Sequence, residues 1–319
     1  MKLEKIVDAI KRGEFLWKAN RTIYNKILSN KRIFKVENKN TKQLLLQDRA
    51  YKKLKKEYGS FIEEYSPAFT DHEFEKKIWI CWLQGYDEAP EFVKACINSI
   101  KSQAKGFEIV VLTESNIGEY VKLPEHIIQK YHQGKISRTH FSDILRISIL
   151  CERGGIWADS TVLCTEGAFF DTLLKRPLFV FKVLDLTRQD TDSIVASNWF
   201  ISSFANSSIL NLTRDLLYQY WKDHDYVVNY FVFHIFFTLA TQKYLEEWED
   251  VPMFENRAPH VLMFELGKDY SEERWKQITA MSDIHKLTRH ISYENLENSF
   301  YCYILSRYRK AGSEEARAE

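Results

Sequence analysis

Two short apolar runs, separated by a helical pattern, constrain the fold of this chain more than any other feature. The first run, Ile78 to Leu83, ends at Gln84-Gly85 and predicts a buried strand. Pro90 then opens a helical pattern, and a second buried strand is predicted from Phe107 to Leu112. A strand, a helix and a strand at this spacing predict an α/β fold with a parallel sheet, the arrangement of many nucleotide-binding proteins.

The sequence after the first predicted strand lacks the common phosphate-binding loops. Neither GxGxxG nor GxxxxGK occurs there. An ordinary dinucleotide or P-loop site is therefore disfavoured.

Polar residues interrupt the apolar helix that is predicted from about Arg138 to Arg153. Asp143 and Arg146 are three residues apart, so they lie on the same face of the helix, and apolar residues surround them. A partly buried carboxylate and guanidinium must pair with each other or with a ligand. The pattern alone leaves both a structural ion pair and a binding site open.

A further acid lies at the end of the next predicted strand. Gly154-Gly155 ends the helix, a short strand from Ile156 to Ala158 follows, and Asp159 comes next. Ligands of parallel sheets bind at the carboxyl ends of the strands. An acid there, followed by Ser160-Thr161, suits binding of a ribose hydroxyl or of a metal-bound diphosphate. The alternative interpretation is structural, with Asp159 capping a turn. Together with the helix, this acid predicts a binding site.

The run SDILRISILCERGGIWADST, residues 142–161, resembles the sugar-donor motif of glycosyltransferase family 32. In particular it is similar to the bacterial branch of capsular polysaccharide synthesis proteins. The resemblance extends from about Lys77 to Leu287 and includes Trp82, SNWF at 197–200, the segment from Tyr230 to His234, and IHKL at 284–287. It implies a GT-A-like fold of the Rossmann type with helical additions, a nucleotide-sugar donor and a divalent cation.

The resemblance also implies roles for single residues. Ser142, Asp143 and Arg146 match positions that hold the donor sugar, and Trp82 matches a position where an aromatic ring can stack on the base. Asp159 matches the first acid of the family's Asp-x-Asp motif. Asp143, Arg146 and Asp159 are the expected catalytic residues.

The second acid of that motif is replaced by Thr161, and a hydroxyl is a weak ligand for a hard cation. Some related enzymes use a late His on the metal and a nearby Lys on the diphosphate. This implies that His285 joins Asp159 and Thr161 around Mn²⁺ or Mg²⁺, and that Lys286 binds the diphosphate. A surface or core role is the alternative for His285, while His234, in an apolar helix, suits either the core or an acceptor site.

Charge is unevenly distributed along the chain. Residues 1–66 contain 17 Lys and Arg and 8 Asp and Glu, a net charge of +9, whereas the remainder carries −8. We expect residues 1–70 to form a basic helical arm, residues 71–309 a catalytic domain and residues 310–319 a disordered tail. The arm suits an anionic membrane surface, and packing on the acidic body is the alternative. The acidic body disfavours nucleic acid as a partner.

Cysteine usage and hydropathy indicate the compartment. Five cysteines without a CxxC pair favour reduced thiols in a cytoplasm over disulfides or a zinc cluster. The most apolar stretch, Tyr226 to Ala240, is shorter than the roughly 20 residues of a membrane-spanning helix, so a buried helix from Tyr226 to Trp248 is predicted. No secretory signal is visible. We expect a cytoplasmic protein, at the inner face of the cell membrane if the arm binds lipid.

These observations predict a glycosyltransferase of the hexosyltransferase type. The expected acceptor is a saccharide, lipid-linked if the arm meets the membrane, in the synthesis of capsular or other surface polysaccharide. The resemblance implies retention of the anomeric configuration, with the departing phosphate accepting the proton of the acceptor. Two alternatives are a toxin-like transferase that glycosylates a protein, and a non-catalytic nucleotide- or glycan-binding module, which Thr161 suggests.

Overall fold

The computed structural model describes residues 39–68, 74–183, 193–289 and 296–309, together with parts of 19–29. The strands of the four main ranges are β1 (Lys77–Cys81), β2 (Glu108–Leu112), β3 (Gly155–Ala158), β4 (Val162–Cys164), β5 (Leu178–Lys182), β6 (Ala196–Ser203) and β7 (Ile284–Lys286). The helices are α1 (Lys39–Glu64), α2 (Glu91–Gln103), α3 (Ile117–Tyr120), α4 (Glu125–His132), α5 (Arg138–Arg153), α6 (Ala168–Leu173), α7 (Ser208–Asp223), α8 (Val232–Lys243), α9 (Leu245–Asp250), α10 (Val261–Glu265), α11 (Glu272–Thr279) and α12 (Phe300–Tyr308). Short 3₁₀ helices cover Tyr86–Glu88 and Ala258–His260.

The main sheet has five strands in the order β2-β1-β3-β6-β5. β1 pairs in parallel with β2 and with β3, which confirms the parallel arrangement predicted for the strand–helix–strand unit. The carboxyl ends of β1 and β3 therefore meet at one edge of the sheet. Trp82 follows β1 there, and Asp159 follows β3.

The other half of the sheet differs from the prediction. β6 runs antiparallel to both β3 and β5, so the sheet is mixed, whereas the sequence predicts a parallel one. Antiparallel strands need no crossover helix between them, and a sequence pattern that indicates a buried strand does not indicate its direction. The run SNWF at 197–200, which the family resemblance includes, lies in β6.

Local sequence fixes both ends of α5, and its predicted bounds are confirmed. The Ser137 hydroxyl accepts a hydrogen bond from the His140 amide at the start of the helix. Gly154, with a φ of 64°, ends it. The following Gly155 has a φ of 95°, and a Cβ there would lie 2.8 Å from the Lys77 carbonyl oxygen. Only glycine fits at that position, so the turn into β3 is closely defined.

β4 and β7 form a small antiparallel sheet beside the main one. Val162 lies opposite Lys286, and Leu163 lies opposite His285. The Leu287 amide also donates to the Thr161 carbonyl at 3.0 Å. This pairing brings the late segment 284–287 next to the residues that follow Asp159.

Helix α1 packs on α7 and α8. Leu54 and Tyr58 are buried in this contact, and the Tyr58 hydroxyl donates to Asp223 at 3.2 Å. The Tyr65 hydroxyl, just beyond the helix, donates to Asp215 at 2.6 Å. Residues 39–64 thus take the packed arrangement that was the alternative to membrane contact. Most of the predicted arm before residue 39, and the predicted tail 310–319, lie outside the described residues.

The helix predicted from Tyr226 to Trp248 is shorter in the structure and is divided between α8 and α9. Its first predicted turns are held in another conformation by Tyr220 of α7, whose hydroxyl donates to the Tyr226 carbonyl and accepts from the Val228 amide. The Asn229 side chain then accepts from the Phe231 amide. These local hydrogen bonds compete with helix formation before Val232.

The structure agrees with two further expectations. All five cysteines are free thiols. Across the ranges that the structure describes, the helices are too short or too polar to cross a membrane.

Candidate functional site

A cavity of about 580 Å³ opens at the carboxyl ends of β1 and β3. Its walls come from the loop after β1, from α5, from β3 and the residues after it, from the residues around β7, and from His260 and Met263. Six of the eight predicted site residues line it: Trp82, Ser142, Arg146, Asp159, Thr161 and Lys286. Asp143 and His285 do not.

Asp159 is held between two cations in the wall of the cavity. Its Oδ1 accepts from Arg146 Nη2 at 2.8 Å, and its Oδ2 accepts from Lys286 Nζ at 2.9 Å. We name Arg146, Asp159 and Lys286 the cavity triad. The Trp157 indole also donates to Oδ1 at 3.1 Å, and its ring lies 5.0 Å from the Arg146 guanidinium carbon. The carboxylate is therefore fixed from three sides.

The pKa of Asp159 reflects this environment. Burial alone would raise the pKa of the carboxyl, but Lys286 and Arg146 together hold it below its usual range. Asp159 is therefore ionised at neutral pH and is a weak proton acceptor.

Asp143 lies behind Arg146. Its Oδ1 accepts from Arg146 Nη1 at 2.8 Å and from Asn198 Nδ2 at 2.8 Å, and its Oδ2 lies 3.7 Å from His140 Nδ1. The structural ion pair on this helix is thus present. The same guanidinium also reaches the cavity, because its second nitrogen binds Asp159. Asp143 thus contacts Arg146 without lining the cavity, and its predicted contact with the donor sugar stays a prediction.

Trp82 and Arg289 form an aromatic and cationic part of the cavity wall. The Arg289 guanidinium carbon lies 5.3 Å from the centroid of the half-buried Trp82 ring. Ser142, on α5, lines the same cavity. A flat ring beside a cation can contact a base and a neighbouring phosphate.

Lys286 and His285 point to different places, as neighbouring residues of a strand do. Lys286 Nζ donates to Thr161 Oγ1 at 2.8 Å in addition to Asp159. The buried His285 ring instead lies with Nε2 3.3 Å from Thr165 Oγ1, and burial lowers its pKa to about 4. The structure brings Lys286 to Asp159 and Thr161 but does not bring His285 to them.

The charges that line the cavity are unbalanced. Among the described lining residues Asp159 is the single acid, and the bases are Arg138, Arg146, Lys286 and Arg289. The excess of three positive charges attracts anions, since a cleft concentrates the field of the charges in its walls.

A second cavity, of about 340 Å³, lies between α1 and the segment before α8. Its basic lining residues are Arg21, Lys39, Lys42 and Arg49. Tyr230 also lines it, with its ring 5.9 Å from that of His140. Burial, Asp143 and Asp159 together raise the pKa of Tyr230. Tyr230 is thus close to both the second cavity and the cavity triad.

His234 lies in α8, with its ring beside those of Phe231 and Phe233. Burial lowers its pKa to about 4, so the ring is neutral at physiological pH. These aromatic contacts favour the core alternative for this residue.

Sequence reasoning missed several contributors to the site. Trp157 precedes Asp159 by two residues, and strand alternation, which places such residues on one face, could have indicated it. Asn198 lies in β6 within the SNWF run that the resemblance includes, but that run alone indicates no contact with Asp143. No local pattern indicates Arg138 or Arg289.

A mixed sheet carries a basic, aromatic cavity at its strand ends, and the charge of this cavity suits an anionic small molecule. The chain belongs to the family of capsular polysaccharide synthesis proteins, whose model matches residues 29–304. This match confirms the resemblance to capsular polysaccharide synthesis proteins, whereas the resemblance to glycosyltransferase family 32 stays a prediction.

Two further proteins are similar to the chain. One is the O-glycosyltransferase braB of Annulohypoxylon truncatum, which is 24% identical over 127 residues, covering 37% of this chain and 29% of that protein. The chain thus spans less than a third of the length of this curated relative. The other is the solved structure of the PaToxG glycosyltransferase, which aligns with 75% of this chain and 95% of its own at 15% identity and a TM-score of 0.36.

Proposed function

We propose that the chain is a glycosyltransferase of surface-polysaccharide synthesis that transfers a hexose from a nucleotide sugar bound in the larger cavity. The observation that carries this proposal is the charge of that cavity, where four bases and one acid stand beside the Trp82 ring. A nucleotide sugar presents a negative diphosphate and a flat base, which are complementary to these groups. The family and the name of the curated relative support the same class.

Each lining group has a role in this proposal. Trp82 stacks on the base, and Lys286 with Arg289 binds the diphosphate, whose charge grows as the bond to the sugar breaks. Arg146 and Ser142 bind sugar hydroxyls. Asp159, as the first acid of an Asp-x-Asp-like motif in a GT-A-type enzyme of family 32, orients both cations of the cavity triad.

The proposed transfer retains the anomeric configuration. A strong general base is what an inverting displacement needs, and the depressed pKa of Asp159 makes this carboxylate a poor one. In a retaining transfer the departing phosphate oxygen accepts the proton of the attacking hydroxyl. The low basicity of Asp159 therefore supports the retaining route.

The proposed acceptor is an anionic, lipid-linked saccharide, used at the cytoplasmic face of the membrane. The second cavity supports this choice because four basic side chains line it and Tyr230 connects it to the neighbourhood of the cavity triad. Basic residues of this kind suit the phosphate groups of a lipid carrier and the anionic membrane around it.

A thermal-shift screen of nucleotide sugars tests the donor. A ligand that binds only the folded protein raises its melting temperature, and we expect one nucleotide series to do so in the wild type. The best donor is then offered with lipid-linked saccharide, and the anomer of the product is assigned by NMR.

Asp159→Ala should abolish turnover while the circular dichroism spectrum stays unchanged. Full activity of this variant would contradict the proposal. Transfer of a labelled donor sugar to a protein would favour the toxin-like alternative.

Membrane contact needs a separate test, because deleting residues 1–70 would uncover the face on which Tyr58 and Leu54 are buried. Lys52→Glu with Lys56→Glu changes exposed positions of α1 instead. We expect this double variant to co-sediment less with vesicles that contain phosphatidylglycerol. Lys105→Glu with Lys122→Glu, at exposed positions of the body, is the matched control. Equal loss in both variants would contradict a specific role for the arm.

A further inference from the structure

The residues expected to hold Mn²⁺ or Mg²⁺ do not fit a divalent cation. Both oxygens of Asp159 already accept hydrogen bonds from cations, at 2.8 Å from Arg146 and 2.9 Å from Lys286. Thr161 Oγ1 accepts from the same ammonium, and His285 lies against Thr165. A divalent cation at a diphosphate needs at least one carboxylate oxygen that is free to bind it, beside phosphate oxygens and waters. Asp159 is the single acid of the described lining, and its two adjacent cations would repel the metal. Among the described residues no group of three or more His, Cys, Asp and Glu side chains could hold a metal.

We propose that the Lys286 ammonium occupies the place that a divalent cation would take, so that donor binding and sugar transfer by this chain are independent of metal. The inference rests on the proposed function. Lys286 holds the diphosphate and stabilises the charge that develops on its leaving oxygen.

The position of Lys286 is fixed without a metal. Backbone pairing of β7 with β4 sets Lys286 opposite Val162. One contact to the Asp159 carboxylate and one to the Thr161 hydroxyl orient its Nζ, and the side chain lines the cavity. An ammonium has three hydrogens. The contacts to Asp159 and Thr161 use two of them, which leaves the third for a phosphate oxygen.

Neighbouring bases supply the rest of the charge that a dication would bring. An ammonium carries one positive charge, and the described lining adds the guanidinium groups of Arg138, Arg146 and Arg289. These groups offset the single charge of Asp159 and leave an excess for the diphosphate. Fixed side-chain charges stabilise a leaving group in the same way as a bound ion does, because they need no reorganisation during the reaction.

The chemical step balances with these groups. The bond between the anomeric carbon and the diphosphate oxygen breaks, and its electron pair stays on that oxygen beside Lys286. A bond forms between the anomeric carbon and the acceptor hydroxyl oxygen, and the hydroxyl proton passes to the departing diphosphate. Lys286 keeps its proton throughout.

Calorimetric binding of UDP and GDP to the full chain tests the inference separately from turnover. We expect the tighter of the two to bind with the same Kd, to within about twofold, in excess EDTA and in Mn²⁺. Lys286→Met should weaken binding in EDTA by about tenfold or more, and Lys286→Arg should retain most of it. Lys77→Met, at a lysine outside the cavity that also contacts a carboxylate, is the matched control and should bind as the wild type does.

The reciprocal change should create a metal site. In the double variant Thr161→Asp with Lys286→Met, two acids face the cavity and the ammonium is gone. We expect electron paramagnetic resonance to detect nucleotide-dependent Mn²⁺ binding in this variant and not in the wild type. Wild-type binding that is more than about tenfold tighter in Mn²⁺ than in EDTA would overturn the inference. Absence of UDP and GDP binding under both conditions would instead remove the proposed donor.

Discussion

Two triads of one acid and two bases lie at opposite ends of the main sheet. The cavity triad is at the carboxyl ends of β1 and β3. At their amino ends, Glu75 accepts from Arg153 Nη1 at 3.1 Å and from Lys77 Nζ at 2.9 Å; we name these three residues the surface triad. Helix α5 contributes an arginine to each, so one helix carries part of the candidate site and part of a surface ion pair.

The two triads differ in what surrounds their charges and not in the exposure of their acids. The Asp159 and Glu75 side chains are both 24% exposed. The arginines differ, with Arg146 at 5% and Arg153 at 33%, and only the cavity triad faces a concave basic surface. The exposure of the carboxylates therefore does not distinguish the two triads. The buried guanidinium of Arg146, which binds two carboxylates beside a cavity, does.

The largest expected difference between the triads is in stability. Arg146→Met leaves buried Asp143 without its cation, and we expect the free energy of unfolding to fall by about 3 to 5 kcal/mol. Arg153→Met removes a half-exposed partner and should cost about 1 kcal/mol or less. Urea unfolding of both variants at neutral pH measures this difference. Equal losses would show that the cavity triad is no more coupled to the fold than the surface triad.

The second expected difference is in turnover. Asp159→Asn keeps the shape of the side chain but loses the charge that orients Arg146 and Lys286. We expect donor consumption to fall by about a hundredfold or more, which corresponds to about 3 kcal/mol. Glu75→Gln should leave the rate within about twofold. A comparable loss in Glu75→Gln would mean that the effect arises from the fold and not from the cavity.

A pH effect should sharpen the comparison, because β7 carries Lys286 of the cavity triad next to buried His285. The pKa of His285 falls from 6.5 to about 4 on burial. The stability that this neutral ring contributes is complete above pH 6.5 and is lost as the pH falls towards 4. Between pH 7 and 5 we expect a loss of about 2 kcal/mol from this residue. Urea unfolding measures this loss. The free energy of unfolding of His285→Leu should fall less between pH 7 and 5 than that of the wild type, and that of the exposed-site control His132→Gln should fall as much as that of the wild type.

The smallest expected effect concerns salt. Lys77→Gln weakens the surface triad, and the cost should be about 0.5 kcal/mol at low ionic strength and close to zero in about 1 M NaCl, where surface charges are screened. Lys286→Gln changes the partly enclosed cavity triad, so most of the stability that it loses at low salt should also be lost at high salt. Thermal melts in the two buffers distinguish these outcomes, and identical salt dependence would remove the distinction between the triads.

Local sequence predicted the parts of the site that lie close together along the chain. Ser137 and Gly154 define the ends of α5, and the short path from the helix to Asp159 brings Arg146 and Asp159 together. Strand direction was not predictable, because β5 and β6 are buried in either orientation.

The late contribution to the site needed the three-dimensional structure. The contact between Lys286 and Thr161 joins residues 125 apart, and only the β4–β7 pairing fixes it. Neighbours in a strand alternate between faces, and β7 accordingly places His285 against Thr165 and Lys286 beside Asp159. The sequence did not indicate that residues 284–286 form a strand, so this separation of the two side chains was not predictable from it.

The pairing of β7 with β4 also has a consequence for the order in which the site forms during synthesis. The main sheet is complete once Ser203 of β6 has left the ribosome, and by then Arg146 and Asp159 are in the chain. Lys286 follows Asp159 by 127 residues. A partly synthesised chain that ends before β7 therefore contains Arg146 and Asp159 but lacks Lys286 and the late part of the cavity wall. Under the proposed function, it cannot consume donor before the last strand is in place.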